Sequence, residues 1–228
     1  YYITRNNSAV IAWRIPAHAI GGWRITASHS DSPSWKIKTD TVENDGCRRL
    51  SVEGYGGMIM SSWLDRPLTV AGRVMLRTPD SLQTRLVHLD RDLLVIPSLA
   101  IHMQRDINKG HAYNPQVDMQ PLWGAAGSRT LTDLIAEELH VAAQDILDTD
   151  LQLVTRQAPC FVGADREFFM APRIDDLECA AATLLAFLDA APDCDSSCAP
   201  VWALLDNEEV GSGTRQGAAS RFMRDVLD

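Results

Sequence analysis

The sequence predicts an α/β domain that is interrupted by an inserted, mostly β-stranded domain. Residues 67–160 are rich in strand-like segments and in the glycine and proline signals of loops, whereas both flanks alternate strand-like and helix-like patterns. Residues 201–205 form a continuous apolar run, which is typical of a strand buried on both faces. We therefore predict a discontinuous α/β domain at residues 1–66 and 161–228, with the inserted domain at residues 67–160.

The first flank contains short apolar segments that are separated by turn residues. Segments of this length, rich in β-branched and aromatic residues, are typical of strands. The predicted strands lie at residues 1–4, 8–14, 22–27, 35–39 and 48–52. Glycines between residues 54 and 57 then indicate a turn before the inserted domain.

The inserted domain is predicted to combine strands with a helix. Its strand-like segments lie at residues 70–76, 86–96 and 146–154, with a turn at Asp90-Arg91-Asp92. Residues 131–141 instead repeat apolar side chains at helical spacing, and Thr130 or Thr132 could cap this helix. These patterns predict a mostly β-stranded insertion.

The second flank carries the most regular helical pattern of the chain. Leucine and alanine side chains between residues 176 and 188 form a wide apolar face, and Pro192 is expected to end this helix. The buried strand at residues 201–205 follows, and residues 218–227 are amphipathic. An α/β domain accounts for this alternation.

Composition and charge argue against several classes of protein. The net charge of −9 argues against nucleic acid as a partner. No apolar stretch approaches the roughly 20 residues that a membrane-spanning helix needs, and no basic segment with an apolar core opens the chain. We therefore expect a globular protein with no nucleic-acid partner, no membrane partner and no secretion signal.

The five cysteines favour a reducing compartment, because their number is odd and most lie in apolar or loop contexts. We therefore expect a cytoplasmic protein. Cys194 and Cys198 share a polar loop, but no second pair of cysteines or histidines lies nearby, which favours free thiols over structural zinc. Because the chain starts at Tyr1 in an apparent strand and stops abruptly, we expect a fragment that is short at both ends.

His29 and Asp31 follow the predicted strand at residues 22–27, and strand ends are where a scaffold presents side chains to a cleft. At this spacing on extended backbone, both side chains point to one face. The carboxylate can then accept the second imidazole N–H and strengthen the histidine as a metal ligand. A lone histidine is more often structural, so the motif is weak by itself.

Two acidic pairs lie near other predicted element ends. Glu208 and Glu209 follow a buried strand, where charged side chains need a partner or a metal. One of them could bind a metal while the other accepts a proton from water. Asp175 and Asp176 open the second-flank helix, where helix capping is the alternative. A histidine and several carboxylates at such ends indicate a zinc or cobalt hydrolase site.

Together these motifs resemble those of the aspartyl aminopeptidase family of dinuclear metallopeptidases. The matching segments read YYITRNNSAVIAW, SHSDSPSWKIK, VEGYGGMIMSSWLDRPLTVAGRV, PSLAIHMQRDIN, FFMAPRIDDL and LLDNEEVGSGT. They run in family order along nearly the whole chain, so their combination is specific although each segment alone is not. The resemblance implies a metallopeptidase α/β/α sandwich domain, interrupted by a dimerisation domain at residues 67–160.

The resemblance also implies roles for the residues at the strand and helix ends. His29 matches a histidine ligand of one metal, and Asp31 matches the aspartate that orients it. Asp175 matches the aspartate that bridges both metals. Glu208 matches the general base, and Glu209 matches a ligand of the other metal. The implied cofactor is zinc, as two divalent cations per complete site, with cobalt or manganese as alternatives.

The implied activity is hydrolysis of N-terminal, preferentially acidic, residues from a peptide substrate. His102 matches a histidine that a neighbouring subunit contributes to the active site. The resemblance therefore implies a homo-oligomer that is built from dimers, for example a dodecamer.

The chain departs from the family pattern in two respects. The family usually reads Leu-Asp-Asn where this chain has Ile174-Asp175-Asp176, which adds a carboxylate beside the site. Family members also continue past residue 228, and there they supply one further aspartate ligand and one further histidine ligand. Two alternatives stay open: a catalytically inactive fragment or assembly subunit of the same fold, and a dinuclear aminopeptidase or deacylase of broader specificity.

Overall fold

The computed structural model of the protein describes residues 1–17, 19–44, 46–190 and 197–228. These residues form two compact units, one of Tyr1–Ser32 with Arg173–Asp228 and the other of Pro33–Pro172. The predicted mixed α/β fold is confirmed, because sheets and helices both occur.

Strands and helices follow one another along the described residues. The strands are β1 Tyr2–Arg5, β2 Ala9–Trp13, β3 Gly22–His29, β4 Ser34–Asn44, β5 Cys47–Tyr55, β6 Leu68–Arg77, β7 Leu82–His88, β8 Leu122–Ala125, β9 Ile146–Thr155, β10 Cys160–Val162, β11 Phe168–Met170 and β12 Cys198–Leu205. The α-helices are α1 Leu131–Leu139, α2 Ile174–Asp189 and α3 Phe222–Leu227. Short 3-10 helices lie at Met60–Trp63, Ile107–Lys109, Ala143–Asp145 and Glu208–Val210.

The first unit contains a four-stranded sheet in the order β1-β2-β12-β3. The apolar run of β12 lies inside this sheet, where it pairs antiparallel with β2 and parallel with β3. Alternate residues of β12 and β2 pack with Phe222 of α3 in a small core. In the parallel pair Leu205 lies opposite His29, so both strands end at the same edge of the sheet.

The second unit contains a six-stranded sheet in the order β7-β6-β9-β4-β5-β8. Its apolar core includes the fully buried side chains of Trp35, Leu50 and Leu151. The core-facing side of α1 is also buried. Of the two threonines that could cap α1, Thr130 does so: its hydroxyl accepts the Asp133 N–H, and the Asp133 carboxylate accepts the Thr130 N–H.

The second unit is larger than the predicted insertion at residues 67–160, because it spans Pro33–Pro172. Strands β4 and β5 belong to its sheet, since β4 pairs with β9 and β5 pairs with β8. After residue 160, the β10–β11 hairpin also belongs to the second unit. Local sequence patterns identify strands but not their partners, which explains the difference in boundaries.

Several shorter predictions need correction. Residues 86–96 do not form two full strands: β7 ends at His88, and residues 94–96 make only isolated bridges. Segments of four residues or fewer give weak patterns. Of the strands this short, the sequence predicted β1 but not β8, β10 or β11. The amphipathic segment at residues 218–227 is helical only from Phe222 to Leu227.

Some sequence features fall in or beside segments that the structure does not describe. Pro192 and Cys194 lie outside the described residues. Cys47, Cys160 and Cys179 are free thiols among the cysteines that the structure describes. No helix in the described part of the chain is both long and apolar enough to cross a membrane.

Gly72 provides a test of the central sheet of the second unit. It lies in β6 with a φ of +152°, and an added Cβ would lie 2.2 Å from the carbonyl oxygen of Asp150. We expect Gly72→Ala to lower the free energy of unfolding by about 1–3 kcal/mol or more, because backbone strain and a steric clash add together. Urea unfolding measures this change.

Gly57→Ala is the matched control, because an added Cβ there would meet no atom within 4 Å. A Gly72→Ala protein that unfolds at the same urea concentration as Gly57→Ala would contradict the prediction.

Candidate metal centre

Three chain segments of the first unit meet where strands β3 and β12 of its sheet end. His29 is the last residue of β3, and the Glu208–Val210 3-10 helix begins three residues after β12 ends. Because β3 and β12 are parallel, both lead to the same edge. Asp175 comes from the start of α2, where Asp175 and Asp176 have non-helical backbone angles and are joined by a cis peptide bond.

The structure brings together the side chains of His29, Asp175 and Glu209. One ligand atom from each lies within 4.8 Å of the others. The Nε2 of His29 lies 3.3 Å from Oδ1 of Asp175. Two ligands of tetrahedral zinc, each about 2.0–2.1 Å from the metal, lie about 3.3 Å apart. One imidazole and two carboxylates are also a donor set that zinc accepts, so these residues fit a zinc ion.

Asp31 connects the histidine to the glutamate pair. Its Oδ1 accepts the backbone N–H of Glu208 and its Oδ2 accepts that of Glu209, both at 3.1 Å. Its side chain is only 7% exposed, and Oδ1 also lies 3.3 Å from Nδ1 of His29. One buried carboxylate therefore holds the backbone of both glutamates and contacts the imidazole.

The hydrogen bond of His29 defines which nitrogen faces the other carboxylates. Nδ1 lies 3.0 Å from the backbone carbonyl oxygen of Asp31. A carbonyl oxygen can only accept, so Nδ1 carries the proton, and Nε2 of the neutral ring keeps its lone pair for a metal. This arrangement is the usual support of a histidine ligand.

The two glutamates differ in position. Glu209 belongs to the converging donor set. The side chain of Glu208 is 58% exposed, and its Oε2 lies 4.0 Å from Nε2 of His29. Glu208 therefore lies beside the donor set with its carboxylate open to solvent.

The carboxylates also shift the proton affinities of the site. Burial lowers the pKa of His29, but the charges of Asp176, Asp31 and Glu208 and the hydrogen bond to Asp31 outweigh it, so this pKa is raised. Burial raises the pKa of Glu209, and the negative charge of Glu208 raises it further. A cluster of carboxylates with one imidazole is a site that favours a cation.

Asp176 has a role that the sequence analysis did not identify. Its Oδ2 accepts the backbone N–H of His29 at 3.0 Å. Burial raises the pKa of Asp176, but hydrogen bonds from the Cys179 thiol and the His29 backbone, together with the imidazole, outweigh it and lower this pKa. At this position the residue pattern predicted only helix capping and an added carboxylate beside the site.

Asn207 shapes the loop that carries the two glutamates. It adopts a left-handed backbone conformation with a φ of 62°. Its side-chain oxygen accepts hydrogen bonds from Thr214 at 2.7 Å and from Gln216 at 2.9 Å. Asparagine tolerates this conformation better than most residues, which is the signal that could have indicated its role.

His102 is the one predicted site residue that belongs to the second unit. It lies in an exposed turn at residues 101–103.

The amino-acid sequence of the chain is similar to those of known proteins. A sequence model of the family described as aminopeptidase I zinc metalloprotease (M18) matches residues 1–228. A protein of Clostridium acetobutylicum and one of Streptomyces coelicolor, both described as probable M18 family aminopeptidase 2, are 41% and 39% identical to this chain. Each alignment covers 100% of this chain and 54% of the relative. The chain thus spans about half the length of the curated relatives it matches.

Solved structures show the same similarity. A chain in the cryo-EM structure of the Ape4 and Nbr1 complex is 34% identical, with a TM-score of 0.91 over 100% of this chain and 49% of that chain. Chaetomium thermophilum mApe1 is 30% identical, with a TM-score of 0.90 over 100% and 56%. A chain of the S. cerevisiae mApe1 dodecamer is 25% identical, with a TM-score of 0.79 over 99% and 53%. These similarities confirm the predicted fold class.

Proposed function

The chain belongs to the M18 family of zinc aminopeptidases, and we propose that it forms part of an enzyme that removes N-terminal residues from peptides. The observation that carries this proposal is the convergence of ligand atoms from His29, Asp175 and Glu209. We further propose a preference for acidic N-terminal residues, which is supported by the resemblance of the sequence motifs to aspartyl aminopeptidases.

Each side chain of the donor set has a proposed place around a pair of zinc ions. His29 would hold one ion, Glu209 would hold the other, and Asp175 would contribute its carboxylate to both. Asp31 orients His29 through its contacts with Nδ1. Bound zinc supplies positive charge that makes water more acidic and polarises a carbonyl group.

Glu208 is the proposed general base. Its exposed carboxylate can accept a proton from the attacking water at Oε2 and pass it to the nitrogen of the leaving amine. The Asp31 carboxylate holds the backbone of Glu208 by a 3.1 Å hydrogen bond, which fixes where the side chain starts. Glu209 is less suited to this step, because its carboxylate belongs to the donor set.

Assembly and location are further parts of the proposal. One similar structure is a dodecamer, which supports a homo-oligomer built from dimers of the unit that contains the insertion. His102 of one subunit would then act in the site of a neighbour, where an imidazole can support the substrate or a developing oxyanion. The free thiols of Cys47, Cys160 and Cys179 are compatible with a reducing cytoplasm.

The test of the proposed function compares two chromogenic substrates. We expect the complete enzyme of which this chain forms part to release the product from an aspartyl amide faster than from a leucyl amide, and to lose activity when a chelator removes zinc. Adding zinc back should restore the activity. Faster cleavage of the leucyl amide would instead indicate an aminopeptidase of broader specificity. Bound zinc without cleavage of either amide would indicate an inactive assembly subunit.

Substitutions at the glutamate pair separate the proposed base from the proposed ligand. We expect Glu208→Gln to retain zinc and to lose about 10²–10⁴-fold in kcat, the usual contribution of general acid–base catalysis. Glu209→Gln should instead reduce the zinc content. Steady-state kinetics and elemental analysis measure both effects. A Glu208→Gln enzyme with wild-type kcat would show that another group is the base.

Mixing of inactive subunits tests the role of His102. We expect His102→Ala and Glu208→Gln proteins, each nearly inactive, to regain part of the activity when their subunits exchange. In such hybrids some sites combine an intact Glu208 with the neighbour's intact His102. The control mixes the Glu208→Gln protein with the Glu209→Gln protein. Both changes lie in one chain segment, so subunit exchange should not restore activity. No recovery after demonstrated subunit exchange would contradict a shared site.

A further inference from the structure

Two hydrogen bonds link the segment after β3 to the start of α2, and they run in opposite directions. The backbone N–H of His29 donates to Oδ2 of Asp176 at 3.0 Å. The hydroxyl of Ser32 donates to the backbone carbonyl of Asp175 at 3.1 Å. The first bond therefore connects the main chain of His29 to the residue that follows Asp175. The second connects the main chain of Asp175 to a side chain in the segment that follows His29.

The proposed ligands need this support to different extents. The side chain of His29 is 15% exposed, whereas that of Asp175 is 86% exposed. Packing therefore restrains the imidazole, but it does little to restrain the Asp175 carboxylate. With few packing contacts, the position of an exposed side chain depends mainly on where its backbone is held.

Asp176 is well placed to hold the backbone without acting as a ligand. Its side chain is 16% exposed, and the Oδ2 atom that accepts the His29 N–H lies 3.8 Å from Nε2. The Cys179 thiol also donates to this carboxylate. Asp176 is absent from the converging donor set.

We propose that Ser32 and Asp176 are paired positioning residues that hold His29 and Asp175 at the spacing a metal ion requires. The spacing is the 3.3 Å between Nε2 and Oδ1. This inference rests on the proposed zinc site and names the residues that organise it before the metal binds. Residues that orient metal ligands in this way typically contribute about 10–100-fold to metal affinity.

Zinc titration by calorimetry tests the proposal. We expect Asp176→Ala and Ser32→Ala each to raise the zinc Kd by about 10–100-fold. Asp176→Asn should lose less affinity than Asp176→Ala, because an amide oxygen can still accept the His29 N–H. The d–d spectrum of the cobalt-substituted protein should change in both alanine variants, because the ligand geometry changes.

Ser220→Ala is the matched structural control. The Ser220 hydroxyl accepts the backbone N–H of Phe222 at 3.1 Å within the same unit, and neither residue belongs to the donor set. We expect this variant to unfold at a lower temperature while it keeps the zinc Kd and the cobalt spectrum of the wild type. Affinity loss in this control equal to that in Asp176→Ala would show a general effect of stability and overturn the proposal.

The remaining outcomes are also decisive. Wild-type zinc affinity in either Asp176→Ala or Ser32→Ala would overturn the pairing, and equal losses in Asp176→Asn and Asp176→Ala would overturn the role of the acceptor. If Asp176→Ala does not fold, Ser32→Ala still tests the pairing. A wild-type protein that binds no zinc would instead contradict the proposed function, so the two failures are distinguishable.

Discussion

The parallel pairing of β3 with β12 is the constraint on which the candidate site depends. It places Leu205 opposite His29, so the two chain segments that leave these strands start from the same edge of the sheet. Asp31 can then accept the backbone N–H groups of both Glu208 and Glu209, although about 180 residues separate them in sequence. Without this register the imidazole and the glutamates would have no common location.

Backbone hydrogen bonds to carboxylates organise much of the site. Asp31 holds the glutamate segment, and Asp176 holds the end of β3. A carboxylate that accepts backbone N–H groups is oriented by them and in turn restrains the backbone that donates them. The acidic residues therefore have two roles. Asp31 and Asp176 hold the backbone in place, whereas Asp175 and Glu209 contribute carboxylates to the donor set.

The sequence predicted the fold class and the positions of most long elements, because strand and helix periodicities are local properties. It did not predict the unit boundaries, since β4 and β5 pair with β9 and β8, which lie far along the chain from them. His29, Asp175 and Glu209 could be selected because they lie at element ends. The acceptor role of Asp176 and the loop-shaping role of Asn207 could not, because both depend on partners that only the folded chain brings close.

The register of β3 gives the site a sensitivity of its own. In the described residues β3 pairs with β12, and this pairing sets the face of the sheet that each of its side chains occupies. Side chains alternate between the two faces of a strand, so a slip by one residue would turn the imidazole of His29 to the opposite face. Insertions and deletions in natural variants should therefore be tolerated between β2 and β3, where a loop can absorb them, but not within β3.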